Sequence, residues 1–119
     1  MTYAELQAQV AAHLHRGDLG TRIPEFIDAA RQRINRRFDA ELVELTGDSD
    51  TDAVLTDFST LYLYAACEEG YIYLHNAEAA STYGQKWEKE CDRHNVLQPG
   101  TALDQFGDVT PYVKLEDEV

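Results

Sequence analysis

Basic residues are scarce in this chain, ten against 22 acidic ones among 119 residues, which leaves a formal charge of −12. A surface of that sign is repelled by a phosphate backbone, so general nucleic-acid binding is disfavoured. Long apolar runs are missing too. The longest, residues 61–67, contains two tyrosines and stops at Glu68, far short of the roughly 20 residues that span a bilayer. The start of the chain has neither the basic nor the apolar region of a secretory signal, and a soluble protein made in the cytoplasm is expected. In that compartment the two cysteines, Cys67 and Cys91, stay reduced. Each falls on the apolar stripe of an expected helix and reads as a small buried hydrophobe.

Groups that carry catalysis are equally sparse. Ser49 sits in a turn, Ser59 and Ser81 lie within expected helices, and there is no glycine-rich elbow or phosphate loop. Glu68 and Glu69 are adjacent, so on a helix they diverge instead of converging on a substrate. Glu90, Cys91 and His94 share one helix, but a structural zinc wants four placed ligands, and His13, His15 and His75 stand near helix ends far off in sequence. The reading is a non-enzymatic protein with no cofactor and no metal. No repeat or low-complexity tract interrupts it.

What the chain does have is helical period. Residues 1–14 open with Thr2 and Glu5 at capping-box spacing, followed by an apolar stripe of Tyr3, Leu6, Val10 and Leu14. A turn at residues 15–20 follows, with Thr21 positioned to cap the next helix and Pro24 in its first turn. Ile23, Ile27, Ala30, Ile34, Phe38, Leu42 and Leu45 then recur at three- and four-residue steps, which predicts one helix over residues 23–46, about 36 Å long. The rest of the chain is expected to pack along this rod, which is long enough to reach beyond its own core. Residues 47–52 form an acidic connector. A third helix is expected over residues 52–74, with Val54, Phe58, Leu61, Ala65 and Ile72 inward and Gly70 marking a bend. A fourth runs over residues 77–96 from an Asn76 cap, with Ala80, Tyr83, Trp87 and Cys91 inward. Pro99 and Gly100 end the helical part. The expected fold is all-α: a small antiparallel bundle of about four helices over residues 1–98, with an extended C-terminal arm over residues 99–119. Phe106, Tyr112, Val113 and Leu115 are too few to build a core, and they read as anchors on a neighbouring chain.

The polar face of the second helix concentrates charge of the scarce sign: Arg31, Arg33, Arg36 and Arg37. Two readings stay open. Arg37 with Glu41, and Arg36 with Asp39, could be local pairs on a solvated helix. Alternatively the arginine forks meet carboxylates across an interface between subunits or with a partner.

The run Thr2-Tyr-Ala-Glu-Leu-Gln, through Arg16-Gly-Asp-Leu and Arg22-Ile-Pro-Glu-Phe-Ile, to Arg31-Gln-Arg-Ile-Asn-Arg-Arg-Phe, resembles the start of head-to-tail adaptor proteins of tailed bacteriophages. The likeness covers about the first third of the chain, and residues 61–87 resemble more loosely the closing helical hairpin of that family. It departs from the family pattern between the second and third helices. Many relatives carry a longer insertion with strands there, and this chain has only residues 47–52.

The resemblance implies a structural virion protein at the head–tail junction. It would be a homo-oligomeric ring, commonly of twelve copies, docked beneath the portal protein. The ring would present a surface to a tail or nozzle protein and line the channel through which genomic DNA passes unbound. On that reading Arg31, Arg33, Arg36, Arg37, Phe106, Tyr112, Val113 and Leu115 are the interface residues. Acidity serves such a channel lining, but it serves two rivals equally: an acidic DNA mimic that inhibits a nucleic-acid-binding protein, and a small helical regulator.

Overall fold

The computed structural model of the chain describes residues 1–97, the last three by their backbone alone. The expected arm, with Phe106, Tyr112, Val113 and Leu115, lies outside the described residues. Among those residues the protein is all-α, with five helices and no strand: α1 (Tyr3–Leu14), α2 (Ile23–Phe38), α3 (Ala53–Asp57), α4 (Ser59–Tyr73) and α5 (Ala77–Leu97).

The centre of the fold is α4, not the second helix. Leu61, Tyr62, Leu63, Ala65, Ala66 and Cys67 are buried although they point in every direction around the helix. A helix without a polar face has to be enclosed, and α4 packs against α1, α2, α3 and α5. Phe26 of α2 meets Tyr73 while Arg33 meets Glu69, and Phe58 meets His94 of α5 while Tyr71 meets Tyr83. Both α2 and α5 therefore run antiparallel to α4. Ile72, expected inside, is 54% exposed at the end of α4. The helix continues through Gly70 to Tyr73, and the glycine has another use. It lets α1 approach, since a Cβ there would lie 2.7 Å from Leu14 Cδ1.

The second helix is shorter than its apolar period suggests. It stops at Phe38, and Asp39 takes a left-handed conformation with φ 54°, which aspartate tolerates better than most residues. The next residues run without turn or bend back along the helix, burying Ala40, Leu42 and Leu45 and exposing Glu41, Val43 and Glu44. The Asn35 amide holds this return, since its Nδ2 donates to Leu42 O at 3.0 Å and its Oδ1 accepts from Leu42 N at 2.9 Å. Arg31 Nη1 donates to the same carbonyl at 3.0 Å. The apolar residues that seemed to extend the helix are thus buried by another route.

Two of the expected caps form, one does not, and a further cap appears at Asp52. Thr2 and Glu5 form the reciprocal box, and Asn76 Oδ1 accepts from Ala79 N at 3.1 Å. Asp52 Oδ1 accepts from Leu55 N at 2.8 Å and caps a one-turn helix, α3, which Phe58 separates from α4. Thr21 makes no cap, because α2 begins from Arg22 with no side-chain acceptor. The 47–52 connector sits on the start of α1, where the free N–H groups of Tyr3 and Ala4 donate to Asp50 O and Asp48 O at 2.8 and 3.0 Å.

Candidate functional site

The arginines of α2 were the sharpest functional signal in the sequence. Most of them cross the protein's own surface instead of leaving it. Arg33 Nη2 lies 2.7 Å from Glu68 Oε1 and Nη1 lies 3.4 Å from Glu69 Oε2, both on α4. The first contact is short but lacks hydrogen-bond alignment, so Glu68 Oε1 is neutralised by charge and not by a directed bond. The Arg33 guanidinium also stands 4.4 Å from the Trp87 ring centroid on α5, within the range of a cation–π attraction. One turn on, Arg37 donates to Glu88 Oε1 at 2.8 Å and Asp92 Oδ1 at 3.3 Å and lies 5.8 Å from the same indole. Burial is the largest single influence and works against the Arg37 charge, but the bond to Glu88 together with the electrostatic pull of Cys91, Glu88 and Asp92 pushes the guanidinium pKa up on balance. The two arginines form a belt from α2 over the edge of α4 to α5, two helices that do not otherwise pack closely.

Arg31 has a different task. Its Nε donates to Asp28 at 2.8 Å, which holds that carboxyl below its ordinary range, while Nη1 braces Leu42. Neither local pair read from sequence forms. The left-handed turn at Asp39 carries Glu41 away from the helix line, and Arg37 turns to α5 instead. Arg36 is exposed and makes no ion pair among the described residues. Of the four arginines, then, Arg31, Arg33 and Arg37 stabilise the fold, and Arg36 is available to something outside it.

A buried polar group escaped the sequence reading. His94, considered there only as one of too few metal ligands, is 3% exposed. Its ring lies edge-on to Phe58 with centroids 4.3 Å apart, its Nε2 is 3.5 Å from Glu90 Oε1, and its Nδ1 has no partner. Burial, then the nearby Arg93 cation, pushes its pKa down against the pull of Glu90. The signal was present: 80, 83, 87, 91 and 94 continue one stripe at helical spacing. The two thiols lie in the core as expected, and burial pushes each up to about 12.

Among the described residues, this arrangement encloses no substrate. The notch lined by Tyr3, Pro24, Ile27, Asp28, Arg31 and Leu45 has no room even for a water molecule, whereas ordinary ligand sites enclose roughly 300–1,000 Å³. Among the described residues no three histidine, cysteine, aspartate or glutamate side chains converge as metal ligands, and no helix is long and apolar enough to cross a membrane.

The described residues thus define a small all-α domain whose cationic face is folded into its own architecture. Compared with family models, curated proteins and solved structures, the chain matches none.

Proposed function

We propose that the protein is a head-to-tail adaptor of a tailed bacteriophage, a non-enzymatic ring subunit between portal and tail. The observation that carries this reading is the job done by the stretch on which the resemblance rests, Arg31-Gln-Arg-Ile-Asn-Arg-Arg-Phe. Arg31 and Asn35 clamp the returning chain, Ile34 is in the core, and Arg33 and Arg37 join α2 to α4 and α5. A likeness that includes such framework residues supports a shared fold more than one made only of a variable surface would. The interface assignment narrows. Arg36 and residues 99–119 are the parts offered to neighbours, while Arg31, Arg33 and Arg37 act within the subunit. Acidic residues facing the axis repel DNA and let it slide.

The DNA-mimic alternative wants unpaired carboxylates on an open face. Eight of them, Asp18, Glu25, Asp28, Glu68, Glu69, Glu88, Glu90 and Asp92, are instead paired to cations of the same chain. Native mass measurement on the full chain, mixed with portal particles of the same virus, tests the adaptor reading. A multi-copy ring on the portal is the expected result, and a chain that never binds portals overturns it. Removing residues 99–119 should leave a folded bundle that docks poorly.

A further inference from the structure

Among the described residues, the chain that returns along α2 is held from one side only. Leu42 directs its N–H and C=O at Asn35, and in an extended chain successive residues point these groups to opposite sides. Glu41 and Val43 therefore turn theirs outward, and they make no hydrogen bond to any described residue. Val43 is also the most exposed large apolar side chain described, at 74%. An extended segment with a free backbone edge and an apolar side chain in water is a template for a further strand.

Burial alternates over residues 40–43, inward at Ala40 and Leu42 and outward at Glu41 and Val43, and the chain contains a sequence that matches these four positions. Residues 110–115 read Thr-Pro-Tyr-Val-Lys-Leu. Laid antiparallel to residues 40–45, Tyr112 falls opposite Val43, an aromatic against a β-branched residue, and Lys114 falls opposite Glu41, a pair of opposite charges. Val113 then stands beside Leu42 and Leu115 beside Ala40, on the face that turns toward the bundle. Pro111, which has no N–H, comes opposite Glu44 at a position whose backbone points away from the pairing edge, where strands tolerate proline. Shifting the register by one residue puts Lys114 against apolar neighbours and the proline in the ladder.

We infer that residues 110–115 of a second copy add to residues 40–45 as an antiparallel strand, so that each subunit is tied to its neighbour through Val43 and Tyr112. The choice of a second copy rests on the ring proposed above. The strand pairing itself rests on the free edge and on the match.

The test is disulfide trapping in the full chain. The double variant Val43→Cys/Tyr112→Cys is oxidised at millimolar concentration and run on a non-reducing gel. Native Cys67 and Cys91 stay silent, because both are buried with thiol pKa values near 12. The expected result is a ladder of dimers and larger species, at least tenfold stronger than from Glu44→Cys/Tyr112→Cys, which is one residue out of register. No bond, equal bonding from both variants, or a bond only within the monomer overturns the inference. Portal binding by the wild-type chain is read separately. A ladder without portal binding keeps the strand and removes the adaptor, and portal binding without a ladder does the reverse.

Discussion

Arg33 lies over Trp87 at 4.4 Å while its guanidinium faces Glu68 and Glu69, so one side chain of α2 joins α4 to α5. Lysine keeps the charge at this position but not the planar fork or the stacking. Arg33→Lys should lose about 1 kcal/mol of stability, and Arg33→Met about 2–3 kcal/mol, since it leaves two partly buried carboxylates without a cation. Adding Glu68→Gln should recover part of the Arg33→Met loss. Urea unfolding followed by the single tryptophan measures all three, and Arg33→Met as stable as wild type would refute the belt.

The Asn35 clamp predicts a second loss. Asn35→Ala leaves the Leu42 N–H and one of two bonds to its carbonyl unmade, which should cost about 1–3 kcal/mol. Amide exchange at Leu42 should speed up far more than exchange in α4, because the returning segment detaches before the bundle opens.

Gly70→Ala tests how tightly α1 lies on α4. Alanine is better in a helix by about 1 kcal/mol, but its Cβ would fall 2.7 Å from Leu14 Cδ1 and 2.9 Å from Cδ2. Overpacking of that kind costs about 1–3 kcal/mol, so a net loss is expected. Leu14→Val/Gly70→Ala, which removes the colliding reach, should be more stable than Gly70→Ala alone in thermal unfolding.

His94 sets a pH dependence whose sign follows from its surroundings. The buried ring binds a proton less readily in the folded protein than in the unfolded chain, where histidine titrates near 6.5. Below that value the unfolded state takes up the proton first, so stability falls as pH drops from about 6.5, by at most about 1.4 kcal/mol per pH unit. Asp28, with its pKa held down by Arg31, and Glu90, whose bonds to Arg93 and Thr60 outweigh burial, add a separate loss below the ordinary carboxylate range. The midpoint of urea unfolding measured from pH 8 to 5 should slope in the wild type and flatten in His94→Gln.

Most of the helices could be read from period and caps, because Thr2 with Glu5, Asn76 and the stripe of α1 act locally. The end of α2 could not. Ala40, Leu42 and Leu45 fall where a continuing helix and a returning loop would both bury apolar residues, and the choice is made by Asp39 in a left-handed turn and by Asn35 across seven residues. The arginine face was visible as a face, but its partners Glu68, Glu69, Glu88 and Asp92 are supplied by helices whose placement depends on the whole fold. The central place of α4 was hidden for a related reason. A helix that is apolar on every side shows no preferred direction to a search for stripes.

That same enclosure governs how the protein comes apart. Since every other helix leans on α4, none can peel away without wetting part of it, and the penalty links their fates. Loss of order in the described bundle should therefore be a single concerted event, with the returning chain at residues 40–46 free to melt on its own.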